Sequence, residues 1–480
     1  KGNAFFATEF LKSLASENLL TFDFETAGWV WNDDQIAQKT IADNVVELMA
    51  EKVRRLDPQT QDILQLAACA GNRFDLETLC WIADLDPETA AAHLKPALAE
   101  GLVLPLGRTV FKFSHDRIQQ AVYSLIPEEQ RERVHLKIGR RLQSRLAGND
   151  DTSRIFEIAN QLNLGRGLLT SREEIIALAE LNLSAGIRAK QNSAFPTALD
   201  YLGAGISLAE EGHDPWADHY DLSLALYSEA TEAAYLAGRF DQTDGWFREV
   251  LAHGRTILDK VKPYETRILA YKAENKLMEA IDTGLELLEH LGERFPRNPN
   301  MAHIFRDLAT THFALMGKSN EDLMALPLMT DPEKKAAMRI IADIMSSVYW
   351  GKPNLVPIIA FRMVRLSLKY GNHPVSCFAY GSYGVLMCGV LGAMRTGYRY
   401  GHLALDLLEK LNAKEWKAQI FVTPYALIFH WNEHVRNTLR PLQQSFQIGM
   451  ETGLIEFACV NTNIYCIQSF LCGRPLDRVG

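Results

Sequence analysis

Three short stretches of this 480-residue chain hold residue types that could do chemistry. The first is "HWNEH", residues 430–434, which fits the H-x-x-E-H spacing of one zinc-peptidase class. On a helix, His430 and His434 would share a face as metal ligands, with Glu433 as general base. Catalytic zinc needs a third protein ligand, and none is evident in the sequence. The stretch also falls where a turn between helices is expected. The second stretch is "GKS", residues 317–319, the ending of a phosphate-binding loop. The full pattern requires a glycine five positions before Gly317, where His312 stands, and "DLATTHFALM" before it reads as helix rather than strand. No complete nucleotide loop occurs anywhere in the chain. The third stretch is "FKFSHDRIQQAVYSLI", Phe111 to Ile126, with His115 and Asp116 at a strand-to-helix junction. Ser114 is expected to cap the helix, Asp116 to favour its positive end, and Ile118, Ala121, Val122 and Leu125 to face a core. On that account His115 is merely a first-turn residue. The same junction is also a ready anion site, where a nucleotide phosphate from a neighbouring domain could dock.

The elements around that junction have a recognisable order. "KGNAFFATEFLKSLASENLL" reads as a helix, a polar stretch with "WVWNDDQ" follows, and "ADNVVELMAEKVRRL" reads as a second helix with Asp43 as N-cap. From residue 57 three helices follow: "DPQTQDILQLAACAG", "FDLETLCWIADL" and "DPETAAAHLKPALAEG", the first and third opened by Asp-Pro. Two short strands, "LVLPL" and "VFKF", then turn at Gly107 and Arg108. Three helices and a hairpin is the order of a winged-helix domain. Many such domains bind DNA through the third helix. Here Asp57 to Phe113 holds eight acidic residues against four basic ones, and the third helix offers only Lys95 to a phosphate backbone. DNA binding is therefore rejected.

Beyond about residue 152 the sequence predicts helix after helix and no strand. Helix pairs recur, as in "EEIIALAELNLSAGIRAKQ" with "FPTALDYLGAGISLAEEG". Each second helix opens on an apolar residue (Phe195, Phe240, Leu277), with a small residue three positions on (Ala198, Thr243, Ala280). Leu202, Phe247 and Gly284 stand seven on. That is a degenerate tetratricopeptide-like pattern of hairpins burying their apolar faces against neighbours, with a concave surface. After a less regular region, about 292 to 335, "GYRYGHLALDLLEKLNA" and "RPLQQSFQIGMETG" are expected as further second helices. Val375 to Met394 is uncharged over the length of a membrane span, but its four glycines and the helical material beside it favour a buried helix pair. The expected fold is thus mostly α: a helical lid and linker (1–56), a winged helix with its following helix (57–150), and an α-α superhelical solenoid (151–480).

Composition bounds the rest. Net charge is -9 and pI about 5.9, which argues against a nucleic-acid binder. Seven cysteines without a C-x-x-C pair suit reduced thiols in a cytoplasmic protein. The chain opens on Lys1 without a signal peptide and stops after "GRPLDRV", which reads as a helix start. Both ends are expected to be cuts within a longer protein.

The motifs carry a resemblance. "GNAFFATEFLKSL" resembles the "GNPFF…EFL" signature in the lid of signal-transducing AAA-type ATPases (the STAND class), with Ala4 in place of the usual proline. "LQLAACAGNRFDLETL" and "FKFSHDRIQQAVYSLIPEEQRERVHLKIGRRL" are similar to the segments after the ATPase core of very large bacterial multi-domain sensor histidine kinases. Many of those carry an N-terminal serine/threonine-kinase-like domain. "ELNLSAGIRAKQNSAFPTALDYLGAGISL" and "RMVRLSLKYGNHPVSCFAYGSYGVLMCGVLG" resemble their helical middle region. The resemblance implies ATP or ADP with Mg held mainly by an upstream domain, with no cofactor, metal or catalytic residue in this segment. It implies a solenoid that receives a protein or small-molecule signal, and a GAF-type and histidine-kinase continuation downstream. It also implies that His115, with Asp116 as its partner, touches the β-phosphate of bound ADP and holds a closed, inactive state. The leading expectation is a regulatory segment of a signalling ATPase and kinase, cytoplasmic, with no DNA or membrane partner. The rivals are a scaffold without nucleotide switching and, on "HWNEH" alone, a zinc peptidase.

Overall fold

The computed structural model describes residues 4–16, 18–33, 36, 45–146 and 154–475. It divides into two compact units, Lys1–Leu226 and Tyr227–Gly480. The expected cap Asp43 lies outside the described residues.

The first unit opens with helix α1 (Ala4–Ser16) and a hairpin of β1 (Leu20–Asp23) and β2 (Gly28–Trp31), in register Leu20 with Trp31. The hairpin occupies the stretch expected to be merely polar. Its alternating Trp29, Val30 and Trp31 are β-formers, and the "DFETAG" turn between the strands holds Asp23, whose carboxylate accepts from the Glu25 amide and the Thr26 hydroxyl.

Helix α2 (Val45–Arg54) leads into α3 (Pro58–Ala70), β3 (Arg73–Asp75), α4 (Leu76–Ala83) and α5 (Pro87–Ala99). The three helices α3 to α5 start by one device. Asp57, Asp75 and Asp86 each accept from the amide of a threonine three residues on, at 2.9, 2.7 and 2.9 Å. Each threonine hydroxyl donates back to the second carboxylate oxygen. One of the four orphan amides at each helix start is satisfied in this way, and the threonine hydroxyl adds a second bond to the same carboxylate. The threonine hydroxyl, then the amide, hold the Asp57 and Asp86 carboxyls below the usual carboxylate range.

Strands β4 (Val103–Pro105) and β5 (Val110–Phe113) complete an antiparallel sheet of order β3-β5-β4. The β4–β5 hairpin falls where the sequence predicts it; β3, inside "RFDLETL", has three residues, too few to show alternation. Phe74, Phe111 and Phe113 from β3 and β5 pack together over Ile63, Leu64, Leu79 and Leu94, all buried. Helix α6 (Asp116–Ser124) lays Ile118, Ala121 and Val122 on the same core, as its spacing predicts. Helices α7 (Glu128–Leu146), α8 (Ile155–Leu164), α9 (Arg172–Gln191) and α10 (Phe195–Glu210) continue the unit.

The division between units falls within α11 (Tyr220–Leu236). The second unit continues with α12 (Phe240–His253), α13 (Ile257–Ala273), α14 (Leu277–His290), α15 (Met301–Leu315), α16 (Pro332–Gly351), α17 (Val356–Tyr370), α18 (Pro374–Gly389), α19 (Met394–Leu411), α20 (Arg436–Thr452) and α21 (Ile455–Leu471). Among the described residues its only β pairing is an isolated bridge between Leu328 and Asn372. The helical-repeat architecture stands.

A recurring turn marks the hairpins. Ser193, Gly238, Asn275, Gly392 and Gly453 all have left-handed backbone, with φ of 59, 71, 58, 67 and 78°. In every case the second helix begins two residues later, at Phe195, Phe240, Leu277, Met394 and Ile455. The residue between has φ near -90° and ψ near 63° throughout (Arg239, for example, -95° and 64°). Three positions into each second helix stands a small buried residue: Ala198, Thr243, Ala280, Gly397 and Ala458. At Gly397 a Cβ would lie 2.2 Å from Cys388 Sγ and 2.6 Å from the Gly384 carbonyl, so the crossing helices touch backbone to backbone. By this turn α19 is a second helix, as expected, but α20 stands first in its pair and α21 second. Its "GMETG" ending marks a turn to come rather than the close of a pair.

The uncharged stretch 375–394 is split by the Gly392 turn between α18 and α19, with Tyr380 and Tyr383 fully buried. No helix among the described residues is long and apolar enough to cross a membrane.

Candidate functional site

At the β5–α6 junction the capping roles differ from expectation. His115, not Ser114, is the N-cap of α6. Its backbone is extended (φ -153°, ψ 145°), and its Nδ1 accepts from the Arg117 amide at 3.1 Å. Ser114 instead donates its hydroxyl to the Gly101 carbonyl at 2.7 Å, and its amide pairs with Leu102. Ser114 therefore ties the end of β5 back to the close of α5. The ladder direction decides this: one residue earlier in the chain, Phe113 is still in strand register.

Asp116 is exposed at the first helical position, and its Oδ1 accepts from Asn72 Nδ2 at 2.8 Å. Asn72 precedes β3, and its backbone carbonyl takes the Phe113 amide at 2.9 Å. Gln119 reaches the Ala68 carbonyl of α3 at 2.9 Å. The His-Asp pair is thus mounted on a rigid frame of α3, β3, β5 and α6. Because Nδ1 of His115 is an acceptor, a neutral ring carries its proton on Nε2.

The far end of α6 is also anchored, by residues that carry no motif in the sequence. The Tyr123 hydroxyl lies 3.0 Å from His135 Nε2, and His135 Nδ1 lies 2.7 Å from Gln161 Oε1. Gln161 Nε2 donates to the Cys69 carbonyl at 2.7 Å. Since the amide nitrogen of Gln161 is committed, its oxygen accepts, so His135 donates from Nδ1 and accepts the tyrosine proton at Nε2. Every member of this buried chain is satisfied, and it couples α6 to α3, α7 and α8. The polar "EEQRERVHLK" opening of α7 gives little hint that its one histidine points inward.

"HWNEH" does not form the helix face a zinc site needs. Val422–Ile428 is a π-helix, Phe429–Trp431 a single 3-10 turn, and α20 starts only at Arg436. Glu433 accepts from the Tyr398 hydroxyl and from Asn437, and the tyrosine bond holds its carboxyl below the usual range. His434 Nδ1 accepts from the Arg436 amide at 3.1 Å. Burial lowers His430. No group of three or more metal-ligating side chains is placed together among the described residues. In "GKS", Gly317 turns at φ 76° and Ser319 is the N-cap of a five-residue helix, Asn320–Met324.

The chain matches no protein-family profile. It is 25% identical over 555 aligned residues to hybrid signal transduction histidine kinase G of Dictyostelium discoideum. The alignment covers 99% of this chain and 16% of that protein, so the chain spans about a sixth of the relative's length. The relative is eukaryotic and lends nothing to the expectation of a bacterial source. Among solved structures, a Pyrococcus horikoshii signal transduction ATPase with numerous domains and a tetratricopeptide repeat sensor is similar at 13% identity and a TM-score of 0.36. The match covers 91% of this chain and 64% of that one. A TM-score so low is no sign of a shared overall arrangement. What this chain resembles along its length, by sequence, is about a sixth of a signal transduction histidine kinase.

Proposed function

We propose that this chain is a regulatory segment of a signalling histidine kinase, with residues 1–56 as the end of an ATPase lid, 57–150 as a winged helix and 151–480 as a helical-repeat sensing arm. The single observation that supports it most is the similarity to a named signal transduction histidine kinase over 99% of the chain. In this reading ATP or ADP with Mg is held mainly by an upstream domain in the cytoplasm, and a signal on the repeats biases a closed state against an open one. Such bias requires different contacts in the two states. This chain's own contribution is His115, whose ring is oriented at the start of α6 by the Arg117 amide. The chain supplies no phosphate-binding loop.

A second reading, a scaffold without nucleotide switching, draws on a specific observation. His115 and Asp116 both have structural duties, the one as a cap and the other as the acceptor for Asn72. Neither needs a nucleotide to account for it.

The test uses the parent protein, including the region upstream of Lys1. His115→Ala is expected to speed ADP release and raise basal autophosphorylation. Unchanged ADP release and unchanged autophosphorylation favour the scaffold.

A further inference from the structure

Helix α16 carries Asp343, Ser346, Ser347 and Trp350 at i, i+3, i+4 and i+7, so all four share one face. That face lines a cavity of about 710 Å³ inside the second unit. Lys272 of α13, Trp416, Gln419 and the turn from α20 into α21 form its other sides. The volume is that of a small-molecule site.

The polar groups of this cavity are unevenly satisfied. Lys272 Nζ is committed to Glu456 Oε2 at 2.9 Å and to the backbone carbonyl of Asp343 at 3.3 Å. The Asp343 carboxylate accepts no hydrogen bond from any described residue. Ser347 is 1% exposed, lines the cavity, and its hydroxyl has no hydrogen-bond partner. Native structures rarely leave a buried hydroxyl unpaired, because its desolvation is then uncompensated. The lining charges are Asp343, Glu415 and Glu456 against Lys272 alone, so the cavity repels anions. Trp350, 75% exposed, and the partly buried Trp416 supply indole rings, the best aromatic faces for a cation.

We propose that this cavity binds a small organic cation, an ammonium on an apolar or aromatic body, with Asp343 as counter-ion, Ser347 as a second acceptor and Trp350 and Trp416 as walls. The ammonium supplies what the cavity lacks: a partner for one carboxylate and a donor for one hydroxyl. The lining is too acidic for a carboxylate ligand, and a neutral one leaves Asp343 unpaired. The charged groups around Asp343 are Glu265, Lys272, Arg339 and Glu456; burial first, then Glu265, push its carboxyl up to about 7. A bound ammonium favours the ionised form, so binding releases a proton below that value. Binding itself stands apart from the signalling reading; only its consequence for kinase output rests on that reading.

The test is calorimetric titration of the protein with 2-phenylethylamine, with 2-phenylethanol as the neutral control and 3-phenylpropionate as the anionic one. The amine is expected to bind about tenfold or more tighter than the alcohol, and the acid not at all. Its affinity is expected to rise about tenfold from about pH 6 to about pH 8, as Asp343 ionises. Asp343→Asn removes both the preference and the pH dependence while the far-UV circular dichroism stays unchanged. Ser347→Ala weakens the amine without removing the pH dependence. Equal binding of amine and alcohol, no heat from the amine at millimolar concentration, or wild-type binding by Asp343→Asn overturns the proposal. So does preference for a lysine within a capped tetrapeptide over the free amine, which would make the cavity a peptide site. Amine binding without any change in autophosphorylation of the parent protein removes the sensing role and leaves the site standing.

Discussion

Loss of the Glu293 carboxylate should destabilise the second unit. Glu293 follows α14, and its side chain is 8% exposed. Oε1 takes Lys334 Nζ of α16 at 2.9 Å, and Oε2 takes Arg362 Nη1 of α17 at 2.8 Å. One carboxylate therefore joins three helical elements and neutralises two cations. Glu293→Gln keeps the shape, removes the charge and turns an amide nitrogen toward one of the cations. Neither cation is stripped bare. Lys334 keeps the Leu291 carbonyl at 2.7 Å, and Arg362 keeps the Arg294 carbonyl at 3.3 Å and the Phe295 ring at 5.2 Å. Removing one partner of a fully buried pair costs about 3–5 kcal/mol. Lys334 and Arg362 side chains are 12% and 24% exposed, which lets water screen part of the loss. The expected cost is then about 2–3 kcal/mol, near or below the low end of that range. Urea unfolding followed by far-UV circular dichroism reads it as a lower midpoint at unchanged slope. A double-mutant cycle with Lys334→Met should return a coupling above about 1 kcal/mol. A Glu293→Gln protein within about 0.5 kcal/mol of wild type would refute the reasoning, since that is the range of an ordinary surface change.

Three further outcomes are expected. Gly397→Ala should destabilise the α18–α19 crossing by about 1–3 kcal/mol, read as a lower thermal midpoint, because its Cβ would meet the Gly384 carbonyl at 2.6 Å. Gln161→Leu should cost about 2 kcal/mol by urea unfolding, since it orphans the Cys69 carbonyl and His135 Nδ1 together. Burial lowers His373 to about 4 from 6.5, so the native state binds fewer protons than the unfolded one between those values. Stability from this group is therefore present above about pH 6.5 and lost as pH falls through about 4, and His373→Asn, which keeps a capping side chain, should flatten that part of the profile.

The fold was legible where periodicity or a stop signal repeats. Asp57 and Asp86, each before a proline, announced two helix starts, and the apolar-then-small pattern at Phe195, Phe240 and Leu277 located three second helices. What escaped was of two kinds. Short elements gave too few residues for a period: β3 has three, and the β1–β2 strands four each. Helices whose apolar residues face outward broke the expected stripe. In the region read as less regular, α15 presents Met301, Phe305 and Phe313 to solvent at 59, 59 and 68% exposure. The cavity was invisible in the sequence for a third reason. Its walls come from α13, α16 and the turn after α20, and only the Asp343-to-Trp350 face is local.

On the proposed phosphate-sensing role, the ring of His115 would carry a structural and a functional duty together. The cap uses Nδ1 as an acceptor from Arg117, which a neutral imidazole provides and a protonated one does not. A phosphate contact would use Nε2–H, the nitrogen that the cap leaves protonated. The two duties are therefore compatible on one tautomer, and protonation would trade the cap for charge. Asp116 is the opposite case. An exposed carboxylate beside a phosphate repels it, and its bond to Asn72 assigns it to the frame rather than to an anion. Substitution separates the two duties of the histidine. Asparagine is among the best N-caps and can replace the bond to Arg117, but its shorter amide does not reach where Nε2 reaches; alanine abolishes both. If the ring holds ADP in the parent protein, His115→Asn and His115→Ala speed release alike. If the ring only caps α6, His115→Asn releases ADP at the wild-type rate and His115→Ala alone shows a lower thermal midpoint, which would end the phosphate-sensing proposal.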